Sequence, residues 1–266
     1  MKHLLVLAGI ALMAAACTGN DEPVQGYGQI NLSLGNTVNP EIEVSTRAYQ
    51  ILTTDEAKDY WIEVLQNGKS VLEPTNYLNF MNTNPIFPSG EGYAVAAQSC
   101  TEEEAQTANG GAGQVRYTGT SDAFAIAVSS TSDVTVSCTM ANAKVSIVYD
   151  EEFTKYFTDY KVTVYEASNE SRKIEFDANG KYTPSQGGSA YDAVFFNIDQ
   201  DPTLKCEISG TYKGILRKAG TTVNLEAAKW YKLKVKISPS GHIDLNIGVD
   251  NTVTDTEVDV EVNPYV

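Results

Sequence analysis

Apolar residues recur at every second position through most of this chain. The plainest case lies near the end, where Tyr231, Leu233, Val235 and Ile237 alternate with Lys232, Lys234, Lys236 and Ser238. After a Pro239-Ser240-Gly241 turn, Ile243, Leu245, Ile247 and Val249 alternate with polar or small residues. Past Asp250-Asn251, Val258, Val260 and Val262 oppose Asp259 and Glu261. A period of two gives a strand one apolar and one wet face. Three such segments in succession predict antiparallel strands covering one side of a core.

The same texture runs through the earlier chain. Ile30, Leu32 and Leu34 mark a first strand, and Tyr60, Ile62 and Val64 another, closed by an Asn67-Gly68 hairpin signal. Tyr93, Val95 and Ala97 follow, then Phe124, Ile126 and Val128, then Val134 to Met140. A second set begins with Val145, Ile147 and Tyr149 and continues through Val162 and Val164. Ile174 and Phe176 then precede an Asn179-Gly180 turn, and further strands fall near 194–198, 204–208 and 223–225. From Asp150 to Tyr160 the spacing changes: Phe153, Tyr156, Phe157 and Tyr160 recur at three and four residues and predict a short amphipathic helix. Thr101 to Gly113, acidic and then glycine-rich, reads as a long exposed loop. Many short, turn-punctuated strands predict an all-β chain of two immunoglobulin-like antiparallel β-sandwiches in tandem, each with about seven strands. The expected boundary lies near Ala141, giving units over residues 27–140 and 141–266.

The first residues speak to location. Met1-Lys2-His3 is a short basic start, Leu4 to Ala16 is apolar or small throughout, and Ala14-Ala15-Ala16 leads into Cys17. That run is too short to span a bilayer, which takes about 20 apolar residues, and it has the flanks of a secretory signal. A cysteine directly after such a segment is the bacterial lipoprotein pattern. Residues 1–16 are therefore expected to be a signal peptide, Cys17 the lipidated residue, and 17–26 a flexible tether. Asp21-Glu22 resembles the surface-export signal of Bacteroidetes lipoproteins. The expected location is the outer membrane, lipid-anchored and facing the cell exterior.

Charge narrows the partners. The formal net charge is −15, and the leader contributes only Lys2 to the charged residues, so the mature chain is no less acidic. Such a surface repels phosphate backbones and anionic headgroups, so nucleic acid is not an expected partner and membrane attachment falls to the lipid. With Cys17 lipidated, Cys100, Cys138 and Cys206 remain and allow at most one disulfide. Cys138 and Cys206 sit on apolar strand faces and read as small buried hydrophobes. A Cys100–Cys138 bridge is open, with no spacing rule behind it.

Catalytic chemistry is sparse. His242, beside a glycine in a turn, is the histidine of the mature chain, so no Ser-His-Asp or Cys-His set can be assembled without it. Gly110-Gly111-Ala112-Gly113 lacks the lysine and the strand–helix setting of a phosphate loop. Glu102-Glu103-Glu104 reads as solvated. Asp250, Asn251 and Asp255 are the nearest approach to a calcium set, without an EF-hand pattern. No metal, cofactor or enzymatic activity is expected, although carboxylate pairs of the glycosidase type keep a hydrolase as a distant reading. Trp230 falls by parity on the lysine side of its strand and is a candidate for stacking on a sugar ring.

An ordered series of motifs carries a family resemblance over most of the mature chain. Gly26-Tyr27-Gly28-Gln29-Ile30-Asn31-Leu32-Ser33-Leu34, then Val44-Ser45-Thr46-Arg47-Ala48, resembles the opening of the Bacteroidales lipoproteins grouped as domain of unknown function 4493. Gly92 to Ala97, Val134 to Cys138, Ala143 to Ile147 and Phe153 to Val164 follow in the same order. That family is similar in layout to the fimbrillins, which have two transthyretin-like β-sandwiches and are exported as lipoproteins. A protease cuts fimbrillins after an arginine, and the subunits polymerise by strand exchange. The resemblance implies other fimbrial subunits, or a host or glycan ligand, as partners. It makes Arg47 a candidate maturation site by its place after the first strand, and Val258 to Val262 a candidate donor strand. A fimbrillin-like structural or adhesin subunit is the first expectation, and a glycan-binding lipoprotein serving polysaccharide capture is the alternative.

Overall fold

The computed structural model describes residues 26–36, 50–198, 201–237, 243–250 and 255–258. Cys17, Arg47, His242 and Asn251 lie outside them. The first half runs β1 (Tyr27–Asn36), β2 (Gln50–Ile51), α1 (Thr54–Ala57), β3 (Trp61–Gln66), β4 (Lys69–Asn76) and α2 (Tyr77–Thr83). It continues with β5 (Ile86–Pro88), β6 (Gly90–Gln98), α3 (Glu102–Thr107), β7 (Tyr117–Thr120), β8 (Phe124–Ile126) and β9 (Thr131–Met140). The second half runs β10 (Ala143–Tyr149), α4 (Glu151–Tyr156), β11 (Phe157–Glu166), β12 (Asn169–Phe176) and β13 (Ala193–Phe196). β14 (Thr203–Tyr212), β15 (Ile215–Asn224), β16 (Trp230–Ile237), β17 (Ile243–Asp250) and β18 (Asp255–Val258) complete it.

The chain is all-β in architecture, with two cores. In the first half the strand order is β2-β1-β9-β7-β6-β3-β4, with β5 on β1 and β8 on β6. Ile30, Leu32 and Leu34 of β1 and Val134 and Val136 of β9 share one core with Ile62, Val64, Tyr93 and Val95 of β3 and β6. The sheet therefore closes over itself as a sandwich. In the second half, β13-β10-β16-β17-β18 packs on β12-β11-β14-β15. Val145, Leu233 and Val235 meet Val162, Val164, Cys206 and Ile208 in the second core. The alternation marking these strands is matched by alternating burial along β1, β6, β9 and β16. Asn67-Gly68 makes the β3–β4 turn with both residues at positive φ, 50° and 76°, the conformation that selects Asn-Gly at a two-residue hairpin.

Three local expectations are corrected. Thr101 to Gly113 is not an exposed loop: α3 occupies it, with Thr101 and Glu104 capping each other, and Ala105 and Ala112 are buried. The apolar contribution is two alanines, so the helix shows no hydrophobic stripe in the sequence. This segment joins the halves. Gln106 Nε2 donates to Glu166 Oε1 at 2.9 Å, Asn197 Nδ2 to the Glu102 carbonyl at 2.9 Å, and Arg172 Nη2 to the carbonyls of Gly111 at 3.0 Å and Phe195 at 2.9 Å.

The expected helix from Asp150 to Tyr160 stops at Tyr156 because Phe157 already begins β11. Phe153 and Phe157 stack with centroids 4.5 Å apart, while Tyr156 is exposed. Val128 lies past the end of β8 and is 58% exposed, so the apolar alternation there ends at Ile126. The sandwiches also carry two parallel pairings, β1–β9 and β10–β16, among otherwise antiparallel neighbours. Alternation reports which face is dry and is silent on strand direction.

Candidate functional site

The first strand is held mostly by noncovalent contacts. From Gln29 to Asn36, β1 pairs in parallel with Thr131–Cys138 of β9. Its start pairs with β5, through Tyr27 with Pro88 and Gln29 with Ile86, and its end pairs with β2. Ile30, Leu32 and Leu34 project into the first core and are almost fully buried. The Tyr77 hydroxyl donates to the Leu32 carbonyl at 2.9 Å, and Asn31 Nδ2 donates to Asp133 Oδ1 at 2.7 Å. Asn36 Nδ2 donates to the Tyr60 hydroxyl at 3.0 Å, and burial pushes the Tyr60 phenol up to about 12. Full burial of three aliphatic side chains stabilises this seat by roughly 5–9 kcal/mol. Gly28 meets the neighbouring chain so closely that an added Cβ would lie 2.6 Å from the Ala127 carbonyl oxygen. β1 contains no cysteine and is preceded in the chain by residues 17–26 and followed by the segment containing Arg47.

Trp230 opens β16 and is partly buried. Its indole N–H donates to Ser146 Oγ at 2.9 Å, and Lys144 and Lys232 place their ammonium groups over the ring, 4.0 and 4.4 Å from its centroid. Trp61 is the more open indole, at 41% exposure on β3. Register sets it beside Gln98 of β6, which in turn lies beside Thr118 of β7. The next row holds Glu63, Ala96 and Thr120. Ile62 and Val64 take the buried face of β3, so Trp61 and Glu63 take the wet one. The parity argument that singles out Trp230 applies equally to Trp61, and that was the signal available in the sequence.

Cys100, Cys138 and Cys206 are all free and buried. Burial pushes the Cys138 and Cys206 thiols up to about 12, which makes them inert hydrophobes at neutral pH. Between the halves, burial raises the Glu166 carboxyl against the opposing pull of the Arg172 guanidinium, whose Nη1 lies 3.6 Å away. Among the described residues no three His, Cys, Asp or Glu side chains gather as a metal-binding group. No helix among them is long and apolar enough to cross a membrane. Asp250 and Asp255 are paired across the β17–β18 ladder.

The architecture is that of a tandem β-sandwich protein. The chain belongs to the family described as domain of unknown function DUF4493, whose model matches residues 26–264. No curated protein matches the sequence. Among solved structures, the chain is similar to a fimbrial assembly protein from Parabacteroides distasonis ATCC 8503. Identity there is 12%, 88% of this chain and 99% of that one are covered, and the TM-score is 0.49. It is also similar to the fimbrial anchor protein Mfa2 from Porphyromonas gingivalis, at 10% identity over 84% of this chain and 97% of that one, with a TM-score of 0.37.

Proposed function

We propose that this protein is a lipid-anchored, surface-exposed subunit of the cell envelope, fimbrillin-like and structural or adhesive rather than enzymatic. In this reading Cys17 carries the lipid of the exported precursor, and cleavage after Arg47 matures the chain by freeing it from that anchor. The observation that carries it is the seat of β1. The strand lies between β2 and β9, fills the first core with three apolar side chains, and is tied to the rest of the chain beyond it only through the segment containing Arg47. A cut there leaves β1 held by noncovalent contacts alone. Its departure bares the backbone groups of β9 and an apolar groove, which a strand of the same alternation from another subunit refills. Val258, Val260 and Val262 have that alternation. The basic start, short apolar run and small residues before Cys17 support the lipid anchor.

The test is digestion of the folded protein with an arginine-specific protease. Arg116 and Arg172 are largely buried and Arg217 lies within β15, so Arg47 is the expected first cut. The cut protein should form ladders of rising mass, and the Arg47→Ala protein should remain monomeric. A clean cut after Arg47 that leaves only monomer rejects assembly by strand exchange.

A further inference from the structure

The geometry points to a binding site for neutral pyranose chains on the outer face of β3, β6 and β7, centred on Trp61. The site does not depend on the assembly reading above. Two side-chain rows cross the strands: Trp61, Gln98 and Thr118 in one, and Glu63, Ala96 and Thr120 in the other. Ala96 is the small member, so the second row dips and leaves an open trough of about 450 Å³ with the indole on one wall. A second hollow of about 420 Å³, lined in part by Asp59, Asn76 and Gln114, shares Trp61. The indole thus borders both hollows, in a place a continuous chain can cross.

Chemistry selects the ligand. The side chains of Glu63, Thr118 and Thr120 make no hydrogen bond among the described residues, so acceptors and hydroxyls are available around an exposed aromatic ring. Gln98 is oriented by Arg116, its side-chain oxygen accepting from Arg116 Nη2 at 3.4 Å. A pyranose offers an apolar C–H face to an indole and a rim of hydroxyls to a carboxylate, an amide and threonines. Phosphate-bearing ligands and acidic sugars are opposed by the carboxylate of Glu63 and by a net charge of −15. The cation lining the trough, Arg116, is 9% exposed and already engaged, donating to the Cys100 carbonyl at 3.3 Å and pairing with Glu102 at 3.7 Å. Nucleotides therefore fit poorly, although their bases also stack on indoles.

Isothermal titration of the full-length protein in detergent with maltohexaose, cellohexaose and mannohexaose tests the site, with hexagalacturonate as the acidic comparison. At least one neutral hexasaccharide should bind and hexagalacturonate should not. Trp61→Ala should weaken binding by about thirtyfold, the loss typical of a tryptophan anchor, whereas Trp230→Phe should leave it unchanged. Thr120→Tyr fills the trough from the side away from Trp61 and should weaken binding at least as much, so the outcome does not rest on one variant's folding. The proposal is overturned if none of the three neutral sugars binds, if the affinity is unchanged in both Trp61→Ala and Thr120→Tyr, or if hexagalacturonate is preferred.

Discussion

Truncating Leu32 to alanine tests whether β1 is held by its apolar face. Leu32 is 1% exposed in the middle of the strand, paired with Val134 of β9, and its carbonyl accepts the Tyr77 hydroxyl. The backbone bond survives the substitution, so the loss is the buried isobutyl group plus the cavity it leaves, about 3 kcal/mol. With a urea dependence of about 2 kcal/mol per molar, the midpoint of the first sandwich should fall by about 1.5 M. Trp61 reports that transition by fluorescence when Trp230 is replaced by phenylalanine. The adjacent residue is the control: Asn31 lies on the exposed face and donates to Asp133. Asn31→Ala should therefore change stability by no more than about 0.5 kcal/mol. A shift below about 0.5 M for Leu32→Ala, or equal shifts for the two variants, would refute the claim that one face of β1 anchors it.

Three further outcomes follow from the packing and from the proposed lipid anchor. Burial raises the Cys138 and Cys206 thiols from 9.0, and the Tyr60 phenol from 10.0, each to about 12 in the folded state. Each acid's folded value exceeds its unfolded one, so the associated stability is whole below about pH 9 and is lost as pH rises through about 12. Urea midpoints should fall steadily from pH 9 to 11, and midpoints flat over that range would contradict this burial. Glu166→Ala strips the carboxylate facing the buried Arg172 and frees Gln106, so it should cost about 3 kcal/mol and loosen the contact between the halves, as read by hydrogen exchange in α3. A thermal midpoint within a degree of the parent's would rule that out. Cys17→Ala should move the protein from the membrane fraction to the soluble periplasm, and unchanged fractionation would remove the lipid anchor from the account.

The sequence carried the dry faces of the strands because a period of two is set by the pleat itself. Ile30, Leu32 and Leu34, Tyr93, Val95 and Ala97, and Val134, Val136, Cys138 and Met140 are buried as their alternation implies. Strand direction was not legible, since a parallel and an antiparallel partner bury the same face of β1. α3 was hidden because it contributes Ala105 as its one buried residue, yet its Thr101-to-Glu104 capping box was readable as a helix start. Thr53 and Glu56 cap α1 in the same way. Trp61 stands out poorly in the sequence because the apolar alternation of Tyr60, Ile62 and Val64 marks the opposite face of β3. Its neighbours Gln98 and Thr118 come from strands 37 and 57 positions further on, a juxtaposition that only the register supplies.

The most direct test of the central claim is the N-terminus of the protein recovered from the outside of the cells that make it. Mass spectrometry of the surface-sheared, assembled fraction should find chains that begin at Ala48, the residue after Arg47, with β1 absent. Assembled chains that begin at an acylated Cys17 and keep β1 intact would contradict maturation at Arg47 and the strand exchange that depends on it.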